Sequence, residues 1–191
     1  MEAPYFNHIA SLCWVVFFIA WLIFALKQKK LKSKEAQAER FKYMLPTVVG
    51  YFLLFSPNAE YGWLGTRFVP RSAAVSAAGL ALTVAGIAFA IWARWHLGTN
   101  WSAAVTIREN HELIGTGPYR SIRHPIYTGM FLATIGTALA LGQVRGLISL
   151  LIIVAAFYTK ARKEETWLAR EFGPAFEEHA RHRGMFLPRF S

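Results

Sequence analysis

No aspartate occurs in this sequence; its 11 acidic residues are all glutamate. A Ser-His-Asp catalytic triad is excluded on that ground. Cys13 is the single cysteine and lies inside an apolar run. It cannot form a disulfide within the chain, and such a setting does not suit a thiol nucleophile. A zinc site needs three or four His or Cys ligands at defined spacing, and no such spacing occurs. Gly115-Thr116-Gly117 lacks the lysine and the preceding strand of a phosphate-cradling loop. Internal repeats, low-complexity linkers and nucleic-acid-binding motifs are absent too. Met1 to His8 carries no positive charge, so the first apolar run does not read as a cleaved signal peptide.

Charge in general is scarce. Charged residues make up 17% of the 191 and hydrophobic residues 54%, whereas average soluble domains carry about 25% charged residues. The charges are also clustered, which leaves long uncharged runs. Crossing the hydrocarbon core takes about 20 apolar residues in a helix. Ile9–Leu26, Ser72–Ala93 and Ile126–Val144 meet that need, and Met44–Ala59 approaches it despite Pro46 and Pro57. Gly146–Thr159 is shorter and reads as the return arm of a hairpin that turns over residues 141–146. The predicted fold is all-α: one membrane-embedded domain over residues 1–191, with five transmembrane helices, the last two a hairpin. Gly79, Thr83, Gly86 and Ala90 form one small-residue face on the third span, and its expected role is close helix packing.

Lysine and arginine set the orientation. All but Arg67, Arg71 and Arg145 of the 21 fall in residues 27–42, 94–123 and 160–191. The N-terminus is therefore expected outside and the C-terminus in the cytoplasm. A basic rim beside anionic headgroups accounts for the net charge of +10, so lipid rather than nucleic acid is the expected partner.

Residues 27–42 read as a basic, partly helical loop. Arg123-His124-Pro125 opens the fourth span, with proline at the first helical position and His124 at the helix start. The last span is expected to continue outward to Phe172-Gly173-Pro174, a strong helix stop. A short helix over Pro174–His182, with Phe176 turned inward, follows. A hairpin brings its ends together, so residues 111–127 and 160–172 are predicted to be neighbours. Aromatic rings beside a carboxylate suit a ligand that carries a cation and a flat base.

His111-Glu112-Leu113-Ile114, Gly117-Pro118-Tyr119-Arg120-Ser121-Ile122-Arg123-His124-Pro125-Ile126-Tyr127, the distal Glu164-Glu165 with Phe172-Gly173, and the upstream Gly98-Thr99-Asn100-Trp101-Ser102 together resemble the isoprenylcysteine carboxyl methyltransferase family. The resemblance implies a membrane-embedded methyltransferase that uses S-adenosylmethionine, with its cofactor core over about residues 94–191. Carried over residue by residue, cofactor contacts fall on His111, Glu112, Leu113, Ile114, Tyr119, His124, Pro125, Ile126, Tyr127 and Glu164. Lys160 stands where the family has an arginine near the acceptor, and lysine lacks the planar two-pronged grip of a guanidinium. Lys160 or Arg162 would hold an acceptor carboxylate, which is ionised at neutral pH and needs no general base. A lipid amine would need one, from Glu165 or His124.

The acceptor is expected to be lipophilic or amphiphilic and to enter from the bilayer between the third and fourth spans. The active site is expected to face the cytoplasm, with no metal. Glu165, His179 and His182 read as solvated residues, and Trp92, Trp95 and Trp101 as interfacial anchors, with Trp101 a candidate for the acceptor entrance. The alternatives are a phospholipid or small-molecule N- or S-methyltransferase, a non-catalytic lipid-binding protein on the same scaffold, and an intramembrane reductase using a nicotinamide.

Overall fold

The structure is a computed structural model that describes residues 3–26, 31–101, 104–108 and 113–189. Among them are α1 (Ala3–Ala25), β1 (Leu31–Lys34), α2 (Gln37–Phe55), α3 (Ala73–Leu97), β2 (Thr106–Arg108), α4 (Pro125–Leu141), α5 (Val144–Phe172) and α6 (Pro174–Arg181). Helices dominate because the long runs of Ala, Leu, Ile and Phe carry few charges, and in an apolar medium only a helix satisfies its own backbone.

Among the described residues, three helices are long and apolar enough to cross a membrane: His8–Ala25 within α1, Ala73–Asn100 (α3 and its following turn) and all of α5. With α4, an apolar helix of 17 residues, they make this a multi-pass membrane protein. The predicted fifth run, Gly146–Thr159, is one part of α5, which is 29 residues long. The bundle's outer face carries Leu12, Val15, Phe18 and Leu22 from α1 and Leu45, Val48 and Phe52 from α2, all exposed. Trp14 and Phe17 point the other way and are buried. Two buried polar side chains at the centre of the bundle partner each other. Trp14 Nε1 donates to Thr137 Oγ1 at 2.9 Å, and Thr137 in turn donates to the Ala133 carbonyl at 2.8 Å.

The tightest seam joins α3 to α4. A Cβ on Gly86 would lie 2.3 Å from the Ala133 nitrogen and 2.6 Å from the Gly129 carbonyl; a Cβ on Gly136 would lie 2.4 Å from the Thr83 nitrogen. The two backbones touch, as the small-residue face on α3 predicted, because packing between apolar helices in lipid relies on close van der Waals contact. This contact corrects one expectation. Along this seam the third and fourth spans leave no gap for the lateral entrance expected between them, since the small residues let the two backbones close.

Gly142, in the left-handed conformation at φ 67°, ends α4, and Gln143 leads straight into α5. Arg67 caps this turn by donating to the Leu141 carbonyl at 2.9 Å, and Arg145 donates to the Ser56 carbonyl at the end of α2 at 2.7 Å. At the opposite end α5 outruns the bilayer: 29 residues span about 44 Å at 1.5 Å per residue, against a hydrocarbon core of about 30 Å. Its polar last turns therefore stand clear of the hydrocarbon.

The all-α expectation needs one amendment. β1 and β2 pair antiparallel, with Lys34 opposite Thr106 and Leu31 opposite Arg108. Neither segment alternates clearly in sequence; each finds its partner through the tertiary fold. α6 and the inward Phe176 match expectation. The chain then returns to lie beside the start of α4, where the Arg123 and His124 N–H groups donate to the Gly184 and Met185 carbonyls at 2.8 and 3.0 Å.

Gly86→Ala should lower the thermal unfolding midpoint in detergent, by overpacking worth about 1–3 kcal/mol. Ala85→Leu, on the neighbouring exposed position, should stay within about 0.5 kcal/mol of the unaltered protein. Equal effects of the two substitutions would contradict the seam.

Candidate active site

The α4–α5 hairpin brings the two polar segments together as the sequence predicted. His124 caps α4, ahead of Pro125 at the first helical position. Tyr127, one turn on, donates to both oxygens of Glu164 on α5, at 2.8 and 2.9 Å. The His124 ring stacks on Tyr127 at 5.4 Å between centroids and 7° between planes, and Tyr127 stacks on Phe157 at 4.8 Å. His124 stands between two carboxylates, with Nδ1 3.5 Å from Glu164 and Nε2 3.2 Å from Glu165.

Glu165 is not solvated. It is 8% exposed and binds Arg123 Nε at 2.7 Å as well as His124. Arg123 also donates to the Ala180 carbonyl at 3.0 Å and to the Arg183 carbonyl. One carboxylate thus joins the start of α4 to α5, and its arginine partner secures the returning tail. The misreading has a simple source: Glu164 and Glu165 are adjacent, and helical geometry does not by itself say that both face inward.

Beside these groups lies a cavity of about 130 Å³. Of the residues predicted to contact a cofactor, Leu113, Ile114, Tyr119, His124, Ile126, Tyr127 and Glu164 line it. Pro125 is buried at the helix start but is not part of the wall. His111 and Glu112 lie outside the described residues. Burial, and then the nearby Glu164 carboxylate, push the Tyr119 hydroxyl above its ordinary range, so it remains a neutral donor.

Lys160 and Arg162 are not on the wall. Lys160 is buried one layer back, its Nζ 3.7 Å from Glu164 and over the rings of Tyr127 and Tyr43, at 5.4 and 5.5 Å to their centroids. Arg162 is 62% exposed at its side chain and reaches Glu165 at 3.6 Å. Of the two cations, the structure brings only Lys160 to the site's central carboxylate.

Several wall residues were not singled out from the sequence. Trp167 and Leu168 follow Glu164 at three and four residues and share its helix face, a spacing that could have revealed them. Trp101, read as an anchor and singled out only as a candidate for the acceptor entrance, is buried in the wall. Its indole packs under the guanidinium of Arg94, 4.5 Å away, while Arg94 donates to the Phe24 carbonyl of α1 at 2.8 Å. His179, read as a surface residue, also lines the cavity. Burial, then the charges of Arg183, Arg123 and His124, lower its pKa to about 4, so it is neutral at physiological pH. Val105 and Thr106 had no sequence signal. Thr106 Oγ1 is buried on this wall without a hydrogen-bond partner among the described residues, a polar atom left for a ligand.

The arrangement offers aromatic faces, neutral donors and one carboxylate in a largely apolar hollow. Groups of three or more His, Cys, Asp or Glu able to hold a metal are absent among the described residues.

Known structures and sequences place this architecture. The fold is that of the isoprenylcysteine carboxyl methyltransferases: the structure of the eukaryotic intramembrane Ras methyltransferase of that kind matches 76% of the chain at a TM-score of 0.55 and 23% identity. The chain belongs to the phospholipid methyltransferase family, whose model matches residues 74–175. It is 33% identical over 123 residues, 61% of the chain, to the nickel-cobalt-cadmium resistance protein NccN of Alcaligenes xylosoxydans xylosoxydans. It is 27% identical over 142 residues, 72% of the chain, to protein-S-isoprenylcysteine O-methyltransferase B of Arabidopsis thaliana, covering 67% of it. The chain spans only 53% of NccN and 52% of the solved structure. The family resemblance read from the sequence is borne out.

Glu35, just before α2, is held by several groups at once. It accepts from the Tyr43 hydroxyl and from the Val105 N–H (2.9 Å), and pairs with Lys163 at 2.9 Å. Burial works to raise its pKa, but the hydrogen bonds from Tyr43, Lys163 and Val105 and the charge of Lys163 together hold it below 4.5. A carboxyl depressed in the folded state stabilises the fold above its unfolded pKa and loses that contribution as pH falls through the folded value. Glu35→Gln should therefore be less stable than the unaltered protein at neutral pH. The gap in thermal midpoint should narrow as pH falls below about 4.5; a gap independent of pH would contradict the assignment.

Proposed function

We propose that this protein is an S-adenosylmethionine-dependent methyltransferase that methylates the carboxylate of a lipophilic acceptor, a prenylated cysteine being the fitting type. The convergence of Tyr119, His124, Tyr127 and Glu164 on one cavity, from two segments separated by a helical hairpin, carries this reading. The donor set fits: tyrosine faces attract a sulfonium or ammonium cation, Glu164 can accept from an amine or ribose hydroxyls, and Thr106 offers an unpartnered hydroxyl. The relatives named for isoprenylcysteine O-methylation support the same chemistry.

When bound, the donor supplies a methyl group on a sulfonium, and transfer to oxygen forms a C–O bond as the C–S bond breaks. The chain's own residues have three tasks. Tyr127 and His124 fix the Glu164 carboxylate on the wall. Trp101, Ile126, Leu168 and Phe176 exclude water from the hollow, and a dry site strengthens every charge interaction in it. Lys160 supplies positive charge one layer behind Glu164. It offsets that carboxylate and draws an anionic acceptor at a range that low dielectric preserves.

An amine acceptor is less well served. Glu165 and His124, the two candidate bases, are engaged with each other, and Glu165 is bound to Arg123 as well. The positive-inside bias supports a site facing the cytoplasm, where a soluble donor enters. It also favours the five-span arrangement with the N-terminus outside.

Titration of the purified protein should show binding of S-adenosylmethionine and none of reduced nicotinamide. Glu164→Gln should weaken donor binding at least about tenfold, equivalent to about 1.4 kcal/mol; unchanged affinity would remove Glu164 from the site. Lys160→Ala should lower turnover of N-acetyl-S-farnesylcysteine about tenfold, and change donor affinity less than about threefold. The reverse pattern would make Lys160 a donor contact.

A further inference from the structure

Glu35 lies outside the matched region of residues 74–175 and in a stretch that reads as a basic loop. Its carboxylate is nonetheless buried, and groups from three parts of the chain converge on it: Tyr43 of α2, the Val105 backbone ahead of β2, and Lys163 of α5. Two of these lead to the cavity. Val105 is part of the wall, and its carbonyl accepts in return from the Glu35 N–H at 3.1 Å. Tyr43 lies under Lys160, whose ammonium bridges from that ring to Tyr127 and Glu164.

Glu35 fixes the Tyr43 hydroxyl and so the angle of its ring. The ring, with Tyr127, confines an ammonium group that would otherwise be free to turn away from Glu164. A carboxylate serving only to neutralise Lys163 would be redundant, because Glu39 already lies 3.3 Å from that lysine. We propose that Glu35, acting through Tyr43, is a positioning residue that seats Lys160 behind Glu164, so that the segment before α2 is part of the acceptor-side machinery. This rests on the methyltransferase reading and on the role given there to Lys160.

A double-mutant cycle tests it. Glu35→Gln, Lys160→Ala and the double variant are purified in detergent, and the turnover of N-acetyl-S-farnesylcysteine, S-adenosylmethionine affinity and thermal midpoint are measured for each. Glu35→Gln should lower kcat about fivefold with donor affinity within about twofold, and the double variant should be no slower than Lys160→Ala alone. Tyr43→Phe, which keeps the ring and loses its link to Glu35, should reproduce the Glu35→Gln defect; it replaces Glu35→Gln in the cycle if that variant fails to fold. Multiplying losses overturn the coupling, as does a joint fall of turnover and donor affinity that tracks the thermal midpoint, the mark of a purely structural clamp. An unaltered protein that binds no S-adenosylmethionine overturns the methyltransferase reading itself. Donor binding without turnover of the probe overturns the carboxylate role of Lys160, and this proposal with it.

Discussion

The site depends on a requirement of low dielectric: a charge taken out of water must find its counter-charge, and leaving one alone is far costlier than any surface ion pair is worth. Glu165 meets that requirement by binding Arg123 and His124 together. Because those partners precede α4 while Glu165 rides on α5, the pairing fixes the register between the two arms of the hairpin. Glu164, the next residue, then has a defined place beside Tyr127. The α3–α4 seam does the same on the other flank, holding the start of α4 against the end of α3.

The first third of the chain is more than an anchor. Arg94 ties the end of α1 to Trp101 of the wall, and Glu35 ties the segment before α2 to Val105. Both are buried charges in a chain that has few charges to spend. They stiffen a wall made partly of irregular backbone, which helix packing alone does not hold in place.

How much of this was legible in the sequence varies by residue. The hairpin, the outward extension of α5 and the neighbouring of residues 113–127 with Glu164 followed from apolar run lengths and from Gly173-Pro174. The small-residue face on α3 predicted its seam. The acceptor's path, expected between the third and fourth spans, conflicts with that same seam, because small residues signal close approach. Glu35 was invisible: its neighbours are lysines, and nothing local says that one acid among them turns inward. The ribbon of β1 and β2 was equally hidden, since each strand is short and is stabilised by a partner some 70 residues away. Glu165 looks like a surface residue until Arg123 and His124 meet it, and His179 until α6 is laid against the cavity.

The backbone partners of Arg123 and His124 come from the chain around Arg183, 60 residues further along. During synthesis α4 can leave the ribosome some 40 residues before that segment does. Until it arrives, the N–H groups ahead of α4 have only water to bond. The nascent protein therefore holds membrane helices beside an unfinished pocket until the segment around Arg183 folds back onto them.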